Sequence, residues 1–342
     1  MNLSTVEQAP DMTPTNDQIT GERIDRLMTV EIRPLNGGLP AGYVVPMYNV
    51  CRAHHGEPLS SLAARRLADT LSGGDVVFIA TGAGTPPKLP QGETDGPVGA
   101  AVLARALVLA FGVRVVLVTE DAHSAPVMAV AATINADLDR PTPVSTVCFP
   151  LGLESGRSIA QLLMEEYRPS AVIFVERDGP NKEGFFHGVR GDCRRPEDVG
   201  HVYLLADLAR KRGVLTIGVG DGGNEVGFGA VRDAITAVHP LGGKSIAGHE
   251  SGVVTVTATD VVVSASVSNW GAYAIAAALA ARLKDPNVLH TQLLERELIE
   301  ATVRAGARDG ATSKAEVAVD GINWQGHTSF VELLRSIVTV SL

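Results

Sequence analysis

A three-layer α/β/α sandwich around a mostly parallel, Rossmann-like sheet is the fold the sequence predicts, on three observations. Short runs rich in Val and Ile alternate with longer stretches of helical periodicity. The short runs are apolar throughout rather than at every second residue, which suits strands covered on both faces. Their repeated strand-then-helix order implies parallel strands joined by right-handed crossovers. The 342 residues, 45% apolar and 20% charged, can bury the core such a domain needs.

Residues 1–57 read as an N-terminal extension: a loose start over 1–15, then helix and loop over 16–57, including the Gly/Pro-rich "RPLNGGLPAGYVVP". The opening "MNLSTVEQAPDMTPTNDQIT" carries acids and prolines without an apolar stretch, so neither a secretory signal nor an Arg-rich transit peptide is expected, and the location expected is cytoplasmic. Residues 58–342 read as a single α/β domain. Its strands are expected at 75–82, 113–120, 144–149, 171–177, 214–220, 260–266 and 315–321. Its helices are expected near 58–72, 96–111, 124–138, 155–168, 199–213, 225–238, 269–284, 291–306 and 328–340. Residues 261–281 hold no charge, but Ser264, Ser266, Ser268 and Asn269 interrupt them. A β-rich half followed by an Ala-rich half reads as a buried strand running into a helix rather than a membrane span. The Ala-rich helices would serve equally as core or as a contact in a homo-oligomer.

A net charge of −9 without any Lys/Arg-rich block argues against nucleic acid as a partner. Cys51, Cys148 and Cys193 are widely spaced, so neither a zinc knuckle nor a disulfide framework is expected, and Cys148, in an apolar run, reads as a buried hydrophobe. No G-x-S-x-G elbow and no P-loop occurs.

In open parallel sheets ligands bind beyond the carboxyl ends of the strands, so the segments that follow the strands matter most. They are "TGAGTPPKLPQGETDGPVGAA", "ERDGPNKEGFFHGVRGD", "GDGGNEVGFG" and "SVSNWGAYA", and all should open on one edge. Gly218, Gly220 and Gly223 satisfy the dinucleotide pattern G-x-G-x-x-G after a strand. However, Asp221 and Glu225 place two carboxylates in that turn, where they would repel a pyrophosphate, and no acid follows about 20 residues later to hold a ribose. The turn is therefore read as a seat for a cation, either a substrate ammonium or a divalent metal, with a capped glycine turn as the plain alternative. No nucleotide is expected.

Asp95 before Pro97 reads as a helix cap, and Ser268 or Asn269 as a second cap on the same edge. Two such helix starts would offer N–H groups to a small dicarboxylic acid. The loop 176–192 concentrates charge in Glu176, Arg177, Asp178, Lys182, Glu183, Arg190 and Asp192, with Asn181 and His187 among them. About half of these should merely be solvated. Glu176, at the strand end, is expected to be partly buried, and His187 is a candidate proton carrier. His54 and His55 are expected on a surface turn, and His123 is a weaker site candidate.

Four patterns, "ATG…ETDGPVGA", "ER-x-G-x-N-x-x-G-x-x-H-x-x-RG-x-D", "GDGGNEVGFG" and "SNWGAYA", together resemble the D-glutamate cyclase domain family over roughly residues 20 to 340. The resemblance implies interconversion of D-glutamate and 5-oxo-D-proline with loss or gain of water, a hydro-lyase reaction. The family's animal members are mitochondrial and carry a further domain; only the cyclase-like part is expected here.

Ring closure asks a site to fold the substrate, to take a proton from its ammonium and to protonate a departing carboxylate oxygen. Asp221, Glu225 and Glu176 are the candidates for receiving the amine and for acid and base, since crowded carboxylates raise one another's pKa. His187 or Arg190 would steady the reacting carboxylate. Thr81, Gly82, Glu93, Thr94, Asp95, Gly96, Asn181, Gly222, Asn224, Ser268, Asn269 and Trp270 complete the expected substrate-binding set. A divalent metal held by Glu176, Asp221 and Glu225 would do the same electrophilic work. A hydro-lyase or hydrolase for another small carboxylic acid, and a non-catalytic sensor of an acidic metabolite, are the competing readings.

Overall fold

The computed structural model describes residues 15–33, 40–139 and 143–342; of the expected loose start only Thr15 is among them. Strands β1 (Val76–Thr81), β2 (Arg114–Glu120), β3 (Val144–Phe149) and β4 (Ala171–Val175) are followed by a small hairpin, β5 (Phe186–His187) and β6 (Cys193–Arg194). Then come β7 (Leu215–Gly220), β8 (Val261–Ser264) and a second hairpin, β9 (Ala318–Val319) and β10 (Ile322–Asn323). The helices are α1 (Asn16–Met28), α2 (Val44–His55), α3 (Leu59–Thr70), α4 (Pro97–Phe111), α5 (Ser124–Leu138) and α6 (Leu153–Glu166). They continue with α7 (Leu204–Lys211), α8 (Arg232–Val238), α9 (Ser268–Leu283), α10 (Gln292–Arg304) and α11 (Trp324–Thr339).

Six strands form one parallel sheet in the order β3-β2-β1-β4-β7-β8. Successive side chains of the central strands β1, β2 and β4 enter different cores, as a pleated strand requires. Val77, Ile79, Ile173 and Ile217 join one cluster with α4 and α9, while Phe78, Ala80, Val172 and Phe174 join another with α6 and α7. The sheet is thus covered on both faces, and its runs need no polar alternation. The strand order reverses between β1 and β4, the place where open α/β sheets leave a crevice.

The N-terminal helices share this core. Ile24, Met28, Met47 and Cys51 lie in the first cluster, and Thr15 and Gln18 close a reciprocal capping box at the start of α1. The Asp25 carboxylate of α1 accepts hydrogen bonds from the N–H of Leu59 (2.6 Å) and Ser60 (3.2 Å) at the start of α3, and from the Tyr48 hydroxyl (2.9 Å) of α2. Alanine-rich α9 is core: Ala272 to Ala280 are all buried. Among the described residues no helix is long and apolar enough to cross a membrane.

Four expectations need correction. Residues 315–321 do not add a strand to the sheet; they turn at Asp320-Gly321, both with positive φ (53° and 76°), into the β9–β10 hairpin. Asp-Gly with two such residues is a tight hairpin turn. The helix expected at 225–238 starts only at Arg232, because residues 221–228 fold back on β7 instead. Cys148 is exposed, since β3 is an edge strand paired with β2 alone. His54 and His55 end helix α2, and His55 Nε2 accepts the N–H of Val262 (3.1 Å), occupying a donor on the opposite edge strand.

The fold-back after β7 rests on glycine. A Cβ on Gly218 would stand 2.1 Å from the Val226 carbonyl oxygen. Gly218→Ala should therefore lower the unfolding free energy by roughly 3 kcal/mol, the upper part of the usual range for overpacked cores. An unchanged midpoint in urea would show that the crossing is looser than described.

Candidate active site

A cavity of about 110 Å³ opens at the β1/β4 crevice. It is small beside the roughly 300–1,000 Å³ of pockets for drug-sized ligands. Its wall combines Glu93 and Asp95 after β1, Glu176, His187 and Arg190 after β4, Asp221 and Asn224 after β7, Asp320 at the hairpin tip, and Arg33 from the N-terminal segment. Three of the four segments that follow strands in the sequence meet here.

The fourth, at the start of α9, acts from behind. The Asp95 carboxylate accepts the N–H groups of Ser268 (3.0 Å) and Asn269 (2.8 Å) and so caps α9. Asn269 Oδ1 accepts those of Gly96 (2.9 Å) and Gly99 (2.6 Å) and so caps α4. Each helix start is sealed by a side chain of the other. This corrects the expectation that both starts present free N–H groups to a substrate carboxylate, and it moves Asp95 from the cap of its own helix to the cap of its neighbour. Ser268 Oγ donates to Glu176 Oε2 (2.5 Å), and Thr81 and Gly96 pack behind Glu176, a Cβ on Gly96 standing 2.9 Å from that of Glu176. Glu176 itself has φ 47°, an unusual conformation for a non-glycine residue. Trp270 does not reach the cavity: it is buried, stacks on Phe330 and donates its Nε1–H to His327.

The glycine turn after β7 is no phosphate cradle. The N–H groups of Asp221 (3.2 Å) and Gly222 (2.8 Å) are taken by Glu225 Oε1, and no helix begins there. A Cβ on Gly220 would meet the Glu225 carboxyl group at 2.8 Å, so the glycines serve close approach of this chain to itself. Glu225 Oε2 is buried without a hydrogen-bond partner among the described residues. Ligand oxygens of Glu176, Asp221 and Glu225 lie within 4.8 Å of one another, as do those of Asp95, Asp221 and Asp320, so either set has the spacing to hold a hard divalent cation.

Against these acids stands Arg33, bound to Asp221 (2.8 Å) and Asp320 (3.0 Å). Among the described residues no other basic side chain forms an ion pair with Glu93, Asp95, Glu176, Asp221, Glu225 or Asp320. Burial opposes the charge on Arg33, but Asp221, Asp320 and Asp95 hold it on. Burial pushes Asp221 up to about 7, against Arg33 and with the help of Glu225. Asp320 also rises to about 7, through burial and then Asp221. Glu93, Asp95 and Glu176 rise well above the carboxylate range, first through burial and then through their acidic neighbours, and Glu225 rises mainly through burial.

Other predicted residues hold the walls. Asn181 donates to the Gly252 carbonyl (2.8 Å) and accepts from the N–H of Glu183 and Phe185, fixing the loop after β4. Asn224 lines the cavity and donates to the His187 carbonyl (2.9 Å), while Thr94 donates to that of Ala318 (2.8 Å). Arg190 lines the cavity and donates to the Ala311 carbonyl (3.1 Å). His187 faces His249 and is pushed down to about 4, by burial and then by His249, so it is a neutral ring at neutral pH. His123 lies outside the cavity lining, against Gly82, Gly84 and Gly92, and is also lowered to about 4 by burial. Arg177, whose NH1 donates to the Gly82 carbonyl, forms a buried quartet of ion pairs with Glu120, Asp178 and Arg194.

Comparison with known proteins shows the family of the chain. The family described as D-glutamate cyclase-like, C-terminal, matches residues 53–335. The chain belongs to that family. It is 25% identical over 286 residues to human "D-glutamate cyclase, mitochondrial", a match covering 74% of this chain and 43% of the human one. The chain thus spans less than half the length of the curated relative it matches.

Sequence reading missed Arg33, Asp320 and Lys88, which also line the cavity. Asp320 carried a signal, the Asp-Gly pair inside an apolar run; Arg33 carried none, because its partners lie 188 and 287 residues away.

Asp221 and Asp320 keep their protons to about pH 7 in the fold, whereas an exposed aspartate loses its proton near pH 4. Between those values the unfolded chain binds fewer protons than the folded one, so this cluster's contribution falls as pH rises and levels off above about 7. Urea unfolding at about pH 5 and about pH 8 should show part of that loss disappearing in Asp320→Asn. A slope unchanged by the substitution would mean that Asp320 is ionised throughout.

Proposed function

We propose that the chain closes glutamate to 5-oxoproline and water, and opens it in reverse, with D-glutamate as the substrate suggested by the name of the human relative. The observation that carries this reading is the cluster of buried acids at a small cavity, with Glu93, Asp95, Glu176, Asp221 and Asp320 lining it and Glu225, whose Oε2 is unpartnered, directly behind Asp221 and Glu176.

The reaction has a proton balance that such a cluster fits. The amine nitrogen forms a bond to the side-chain carboxyl carbon as a C–O bond breaks. Two protons leave the nitrogen, and two leave with the oxygen as water. A pair of carboxyl groups that accepts protons on one side and delivers them on the other therefore ends as it began. Asp221, which lines the cavity with Glu225 Oε2 close behind it, can accept from the ammonium, and Glu176, held protonated by burial and its acidic neighbours, can donate to the departing oxygen. Arg190 and Lys88, which line the cavity, supply positive charge for the second carboxylate. Folding the substrate so that nitrogen and carbon meet adds a positioning effect of up to about 7–11 kcal/mol.

Incubation of the protein with D-glutamate should yield a product lighter by one water, read by mass spectrometry, and 5-oxo-D-proline should give the reverse. Glu225→Gln should lower kcat by about 10²–10⁴ while circular dichroism stays unchanged. Absence of either product from D-glutamate, L-glutamate and 5-oxoproline after long incubation would reject the cyclase reading.

A further inference from the structure

Beside the acid cluster, a second group of side chains is drawn together by the fold. His187 and Cys193 are register partners across the antiparallel β5–β6 hairpin, so their side chains leave the same face. The segment 240–252 brings His249 over that face, where its backbone is tied to Ser245 by hydrogen bonds in both directions (3.0 and 3.1 Å). His187 Nε2 stands 2.9 Å from His249 Nδ1, and Cys193 Sγ 3.9 Å from the same nitrogen. One ligand atom from each of the three residues lies within 4.8 Å of the others.

We propose that His187, Cys193 and His249 form a binding site for a divalent cation of the zinc class. Two imidazoles and a thiol are the donors such ions prefer, and a hard ion such as magnesium does not take them. Nitrogen and sulfur donors at about 2.1 and 2.3 Å from one tetrahedral ion stand roughly 3.5 Å apart. The observed separations of 2.9 and 3.9 Å lie on either side of that spacing.

His187 is neutral at neutral pH, as a metal ligand must be. Burial raises the Cys193 thiol, against Arg194, so the thiol is protonated when free and releases its proton to solution as the metal–sulfur bond forms. His187 also lines the cavity, which leaves the fourth coordination position on that side for water or an anionic oxygen. The site joins the hairpin to the 240–252 segment, and it stands independently of the cyclase reading.

The test uses the full chain, stripped with a chelator and titrated with cobalt(II), which reports both geometry and ligand type. One equivalent should give the visible bands of four-coordinate cobalt and a near-ultraviolet thiolate-to-cobalt charge-transfer band, with tighter binding at higher pH, and zinc should erase both. Cys193→Ser should abolish the charge-transfer band, while Cys148→Ser and Glu225→Gln keep it. Loss of a group that only hydrogen-bonds to a metal ligand weakens metal binding about 10–100-fold, so removing a ligand itself in His249→Ala should weaken it by at least about a hundredfold. His249 is only half-buried, so this variant keeps the test open if Cys193→Ser misfolds. Absence of binding at micromolar cobalt, or a weak six-coordinate spectrum that survives Cys193→Ser and disappears in Asp221→Asn, would overturn the proposal.

Discussion

The site depends on the exchange of caps between Asp95 and Asn269. Each side chain satisfies backbone N–H groups of the other's helix, at 2.6–3.0 Å. The exchange locks α4 to α9 at the point where their backbones come closest: a Cβ on Gly99 would stand 2.8 Å from Cα of Asn269. It also spends the two positive helix poles that the crevice would otherwise offer to an anion. What remains at the floor is acidic, and the affinity of the cavity for charge is reversed from that of a dinucleotide fold with the same strand order.

The crowding of acids that follows is stable only because most of them can hold protons. Buried carboxylates with acidic neighbours protonate rather than remain charged. Arg33 compensates for part of the rest, bridging Asp221 and Asp320. The floor is thus a store of exchangeable protons beside a fixed cation. Burying such groups costs stability wherever the pH would ionise them in an unfolded chain, a trade common at functional sites.

Most of this architecture was legible in the sequence. Continuous Val and Ile runs give away doubly covered strands, and all six sheet strands end within two residues of their expected positions. The helix expected from Arg232's neighbourhood began seven residues late, because Glu225, a good helix former, is used to tie down the turn at Asp221 and Gly222. The acids Glu176, Asp221 and Glu225 could be named from their place after strands. Arg33, which pairs with Asp221, and His249, which meets His187, could not, because they act across long sequence separations, and helix caps read from local pattern gave Asp95 the right chemistry but the wrong helix. Trp270 followed a motif into the core, where its ring lies against Phe330 rather than in the cavity.

The quartet of Glu120, Arg177, Asp178 and Arg194 has a further consequence. Two positive and two negative groups cancel; Arg177 and Glu120 are buried away from dissolved ions, while Asp178 and Arg194 also line the cavity. Mobile counter-ions screen only charges they can surround. At the mouth, Lys88 and Asp192 stand 3.7 Å apart and are open to solvent. Added salt therefore acts more on the approach of a charged metabolite through the mouth than on the shape of the wall behind it.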